Sequence, residues 1–150
     1  MDSQTLTPLV NTPFSEEAGA LSPDDRWLAY QSDETGRTEV YVRSLAGDAG
    51  RWRISSLGAN TPLWRRDGRE LYFLTPQGQL MAVDVQPGAT FRASAPRELF
   101  QSDFSVSARQ YRAYAPSPDG QQFAIDVQKE RRTTLLTLVT NWTAPAGAPR

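Results

Sequence analysis

Three stretches of the chain repeat one another: Leu21-Ser-Pro-Asp-Asp-Arg-Trp-Leu-Ala-Tyr30, Trp64-Arg-Arg-Asp-Gly-Arg-Glu-Leu-Tyr-Phe73 and Pro116-Ser-Pro-Asp-Gly-Gln-Gln-Phe-Ala-Ile125. Their shared aspartates, Asp24, Asp67 and Asp119, stand 43 and 52 residues apart. The first apolar residue after each turn, Leu28, Leu71 and Phe123, reproduces both spacings. A period near 43 falls in the roughly 40–45-residue range of one propeller blade. The longer second interval places an extended loop within residues 86–110.

Each repeat reads as short strands and tight turns. Asp-Asp or Asp-Gly between apolar runs marks a hairpin, because these residues tolerate the backbone conformations such turns need. Leu28-Ala-Tyr-Gln-Ser32 leads through Asp-Glu-Thr-Gly-Arg to Val40-Tyr-Val42, and Leu71-Tyr-Phe-Leu74 turns through Thr-Pro-Gln-Gly into Leu80-Met-Ala-Val-Asp-Val85. Gly36 and Gly78, 42 residues apart, take the left-handed position of these second hairpins. Trp52-Arg-Ile54 and Glu98-Leu-Phe100 close the first two units, and Leu135-Leu-Thr-Leu-Val139 ends the third. The expected fold is all-β: about three four-stranded antiparallel propeller blades, around residues 17–56, 60–102 and 111–140. Leu6-Thr-Pro-Leu-Val10 is expected as an outer closing strand, and residues 143–150, rich in Pro, Ala and Gly, as a flexible tail. Strands apolar on both faces, such as residues 71–74, fit sheets stacked face to face around an axis.

The chain has 150 residues, 39% hydrophobic and 22% charged, as expected of a soluble globular domain. Sixteen basic residues against 17 acidic ones mark no surface for nucleic acid. No His or Cys occurs, which excludes a Ser-His-Asp triad, a Cys nucleophile and nearly every zinc, haem or iron–sulfur site in this chain. Fifteen of the basic residues are Arg; the single Lys, Lys129, lies far from any glycine-rich loop, so no phosphate cradle is present. The first 20 residues lack the basic and apolar regions of a secretory signal. No run approaches the length of a membrane span, so insertion by this chain is not expected.

The Ser-Pro-Asp-(Asp/Gly) repeats resemble the TolB-type, WD-repeat-like blades of many bacterial proteins, over residues 8–142. Ser32-Asp-Glu-Thr-Gly-Arg-Thr-Glu-Val-Tyr-Val42 with Val139-Thr-Asn-Trp-Thr143 is similar to the C-terminal propeller of bacterial transmembrane serine/threonine protein kinases. The resemblance implies a regulatory, partner-binding propeller. Neither kinase catalysis nor a peptidase site is carried over, because the His-Arg-Asp, Asp-Phe-Gly and Gly-x-Ser-x-Gly motifs are absent. As a complete gene product the chain is expected in the cytoplasm, and as part of such a kinase in the periplasm or outside the cytoplasm.

The candidate chemistry is sparse. Asp24, Asp67 and Asp119 are read as turn caps rather than a carboxylate ring. Asp33, Glu34 and Glu39 surround Gly36 without the oxygen spacing of a calcium loop, so no metal or cofactor is expected. Asp84 and Asp126 interrupt apolar strands and are read as strand-end residues facing solvent or an Arg; a carboxylate-dependent hydrolase using such a pair is the alternative function. A propeller fragment of a prolyl-oligopeptidase-type peptidase is a further alternative. The recurring aromatics Trp27, Tyr30, Trp52, Trp64, Tyr72 and Phe73 are core residues by default, with Trp52, Trp64, Arg65 and Arg66 as candidate contact residues for a protein or peptide ligand. The expected function is a non-catalytic module for protein or peptide binding, a sensory or regulatory part in signalling. Three blades are too few to close a ring, and Leu28, Phe73 and Ile125 are expected on uncovered faces. A homodimer closing a six-bladed ring is therefore expected, with residues 6–10 completing the partner's third blade.

Overall fold

The hairpins form where the repeated turns place them, and the same hydrogen bonds recur in all three. Ser22 N donates to Trp27 O (2.8 Å), Arg65 N to Glu70 O (2.9 Å) and Ser117 N to Gln122 O (2.8 Å). Asp25, Gly68 and Gly120 occupy the left-handed position of these turns, with φ of 55°, 71° and 72°. Asp25 can stand in for glycine there because a short polar side chain tolerates that conformation.

The computed structural model describes residues 8–46, 50–101, 114–129 and 133–140. Among them are eleven strands and no helix. The first sheet runs β1 (Glu16–Leu21), β2 (Trp27–Ser32), β3 (Glu39–Ser44) and β4 (Arg51–Arg53). The second runs β5 (Asn60–Trp64), β6 (Glu70–Leu74), β7 (Gln79–Asp84) and β8 (Arg97–Gln101). The third holds β9 (Tyr114–Pro116), β10 (Phe123–Lys129) and β11 (Thr133–Val139), again in sequence order. All neighbouring strands are antiparallel. The architecture is a partial β-propeller of two four-stranded blades and a third with three described strands.

Alternation along each strand decides which neighbour a side chain meets. Trp27, Ala29, Val40 and Val42 of the first blade share a core with Leu71, Phe73 and Val83 of the second. The intervening positions of the second blade, Tyr72, Leu74, Leu80 and Ala82, share another with Tyr114, Phe123 and Ile125 of the third. Each blade thus has a leading face toward its predecessor and a trailing face toward its successor. Both faces of β2 and β6 are buried along their whole length, which explains their apolar runs at residues 27–30 and 71–74. The loop after β7 bridges Val85 to Ala93 and returns Phe91 to the first seam, so this part of the extended second repeat reinforces packing.

Two expectations need correction. Of residues 6–10, positions 8–10 are described and form no strand. Val10 packs instead against Leu28, Tyr30 and Tyr41 on the leading face of the first blade, and the Leu9 carbonyl accepts from Arg43 Nη1. Pro8 lacks an amide to donate to a ladder, and local packing competes with pairing there. Phe73 and Ile125 lie inside the two seams rather than on open faces, and Leu28 is covered as well. The expected tail at 143–150 and the start of the third unit at 111–113 lie outside the described residues.

Candidate functional site

The first strands of the three blades, β1, β5 and β9, converge on one cavity of about 340 Å³. It is lined by residues 18–20, 61–63 and 114–116. Most of these side chains are small or are prolines, so backbone forms much of the wall. Two of the strands are bulged there. The register of β1 against β2 shifts between Glu17 and Ala20, and that of β5 against β6 between Asn60 and Leu63. At the centre of each bulge a non-glycine residue takes positive φ, Ala18 at 51° and Thr61 at 53°. These positions are 43 residues apart, the blade period itself, so the bulge is part of the repeat. A bulge releases residues from the ladder and re-aims them, and here the bulged residues line the cavity.

Side chains from neighbouring blades hold this geometry. Gln31 is buried between the first two blades; its Nε2 donates to Glu17 Oε2 (3.1 Å), and its Oε1 accepts from the Thr61 amide (3.1 Å). The Tyr114 hydroxyl donates to the Thr61 carbonyl (2.8 Å), tying the third blade to the second. Burial of that phenol pushes its pKa well above the ordinary tyrosine value. Trp64 Nε1 donates to the Ala20 carbonyl (3.0 Å). The Thr61 bulge is therefore held on both sides through its own amide and carbonyl, while the backbone of residues 18–19, outside the β1 ladder, lines the cavity.

The turn aspartates lie away from this cavity. Asp24 Oδ1 accepts from Ser22 Oγ (2.6 Å) and the Arg26 amide (3.3 Å); Asp119 Oδ1 accepts from Ser117 Oγ (2.6 Å) and the Gln121 amide (3.0 Å). Asp67 accepts from the Arg69 amide (3.0 Å) but lacks a serine partner, and Arg65 takes that place with two bonds of 2.7 Å. The Arg65 guanidinium holds the Asp67 carboxyl down at about 2. Each aspartate thus has the geometry of a turn cap.

Of the candidate contact residues, Trp64 is buried, and Trp52 is half-buried edge-on to Trp27 with centroids 5.7 Å apart. Arg65 is engaged by Asp67 and by Glu70 (2.8 Å). Arg66 is exposed, with no ion pair among the described residues. Around Gly36 the acids point apart: Asp33 caps the Ser15 amide (2.9 Å), Glu34 grips Arg51 (2.9 Å), and buried Glu39 accepts from Ser55 Oγ and the Gly58 amide (3.1 Å). Among the described residues no group of three or more acids is placed to hold a metal ion. Asp84 is exposed, 3.6 Å from Arg97, while Asp126 lies in β10 opposite Leu136. The axial cavity was not legible as a site from motifs, although Pro62 inside a strand and the 43-residue spacing of Ala18 and Thr61 are its signature.

No protein-family model matches the chain, and no curated protein matches it in sequence. Among solved structures, the chain is similar to TolB from Acinetobacter baumannii, with 16% sequence identity and a TM-score of 0.39. That similarity covers 86% of this chain and 42% of the TolB chain, so this chain spans less than half of its length.

Proposed function

We propose that the chain is a non-catalytic binding module that receives an extended segment of another protein at the axial cavity. The observation that carries this reading is the opening lined by small side chains where the repeated bulges at Ala18 and Thr61 meet, with the backbone of residues 18–19 outside the β1 ladder beside it. An extended peptide is matched to such a wall, because its own amides and carbonyls pair with exposed backbone while small side chains permit close approach. The one hydroxyl among the bulge residues, Thr61 Oγ1, is 3.2 Å from Asn60 Oδ1 and has no general base beside it among the described residues, which supports binding rather than turnover. The similarity of residues 32–42 to the propellers of bacterial receptor-type serine/threonine kinases supports a sensory or regulatory role in signalling.

The test is selection from a peptide display library, followed by titration of the selected peptides against two variants. Ala115→Arg, which fills the cavity from β9, is expected to weaken binding by at least about tenfold. Arg66→Ala, on the exposed turn, is expected to leave it unchanged. Binding that survives Ala115→Arg and is lost in Arg66→Ala would move the site to the rim.

A further inference from the structure

Equivalent positions of the three blades have unequal surroundings. On the trailing face, the cross-strand pairs Ala29 with Val42, Tyr72 with Ala82 and Ala124 with Leu138 occupy corresponding places. The first two pairs are 0% exposed, each covered by the blade that follows. Leu138 is 60% exposed. A leucine at a position that is otherwise sealed marks a seam face without its opposite half.

The opposite half exists at the other end of the chain. The leading face of the second blade is hydrocarbon at Leu71, Phe73 and Val83, and the one tyrosine on that of the third, Tyr114, has its hydroxyl bonded to the Thr61 carbonyl. The first blade instead has Tyr30 and Tyr41, stacked with centroids 5.8 Å apart and both 2% exposed. Among the described residues neither hydroxyl meets a hydrogen-bond partner in good geometry. Val10 and Leu45, both only half-buried, are the described hydrophobic residues that pack there, and the Arg51 guanidinium lies over the Tyr41 ring, 5.1 Å from its centroid; this cover leaves both hydroxyls without such a partner among the described residues.

We infer that the trailing face of the third blade, centred on Leu138, docks on the leading face of the first blade in a second copy of this chain. The interface continues the packing already present at the two internal seams, and the incoming sheet replaces the shallow contact of Val10. The same contact made twice gives six blades and two-fold closure, within the range of closed propellers. The inference rests on blade packing and is independent of the axial ligand.

Sedimentation velocity on the full chain, from about 1 to about 100 µM, tests it. A single species of twice the chain mass is expected at the upper end, dissociating on dilution. Leu138→Glu, at a position already exposed, is expected to remain folded by circular dichroism and to sediment as a monomer. Leu57→Glu, at a leucine exposed elsewhere, is expected to remain dimeric. A wild-type monomer throughout the range overturns the inference, as does a dimer unaffected by Leu138→Glu. Mass that grows without a plateau contradicts closure, and dissociation in both variants points to unspecific apolar association instead.

Discussion

The two seams of this partial propeller are built from the same repeat positions and locked by different chemistry. Between the first and second blades, Trp27 meets Trp52 and Phe91 edge-on, with centroids 5.7 and 5.4 Å away. Between the second and third, Phe123 packs against Tyr72 and Phe100, but a charged cluster lies beside them. Buried Glu70 accepts from Tyr72 (2.7 Å), Arg65 (2.8 Å) and Arg97. Gly120, from the third blade's turn, sits directly on that cluster. The repeat therefore specifies which faces meet, while residues outside it decide how each seam is fixed. A buried, fully paired carboxylate contributes orientation more surely than net stability.

The largest effect is expected at the aromatic seam. Trp27→Ala removes a ring with two aromatic neighbours and leaves a cavity, at a cost of about 3–5 kcal/mol. Urea denaturation should show the shift, and a loss below about 1 kcal/mol would mean that the first seam is not closed by this cluster. At the polar seam, a matched pair of glycine variants separates backbone strain from packing. Gly68 and Gly120 have nearly equal φ, 71° and 72°. A Cβ at Gly68 meets its nearest atom at 3.6 Å, whereas one at Gly120 collides with the Tyr72 hydroxyl and stands 2.9 Å from Arg65 Cδ. Gly68→Ala is expected to cost about 1 kcal/mol and Gly120→Ala about 2 kcal/mol or more. Equal losses in thermal melts would show that the third blade does not press on the cluster.

These differences mark where the sequence was readable. The turn Asp at 24, 67 and 119, the strands they join and the glycines at 36 and 78 follow from local rules with a fixed period, and all reappear in place. The seams depend on which face of a strand meets which neighbour, and Phe73 and Ile125 were misplaced because apolarity on both faces carries no direction. Residues 6–10 resemble a strand in composition, yet Val10 gains more by packing on its own blade. Gln31, Tyr114 and Trp64 bridge blades through single long-range hydrogen bonds, which leave no periodic trace.

The smallest effect is expected from acid titration of the turn cap. The Asp67 carboxyl is held at about 2, below its ordinary value of 3.8. A depressed carboxylate contributes stability that is fully present above its unfolded pKa and is lost as the pH falls through the folded value. Because the side chain is 47% exposed, solvent screening limits the effect to about 1 kcal/mol or less. Asp67→Asn should therefore melt slightly below wild type at pH 7, and the gap should close between about pH 4 and pH 2. A gap that persists at pH 2 would assign the loss to geometry rather than to charge.

The central claim is that the three sheets stack as consecutive blades, and native-state thiol labelling tests it directly. The chain has no cysteine, so a single introduced thiol reports its own position without background. Ala29→Cys and Ala82→Cys, on the trailing faces of the first and second blades, are expected to react at least about a hundredfold more slowly than in denaturant, because the next blade seals them. Labelling of both at nearly the denatured rate in a chain that retains its β-sheet signal would contradict the stacking.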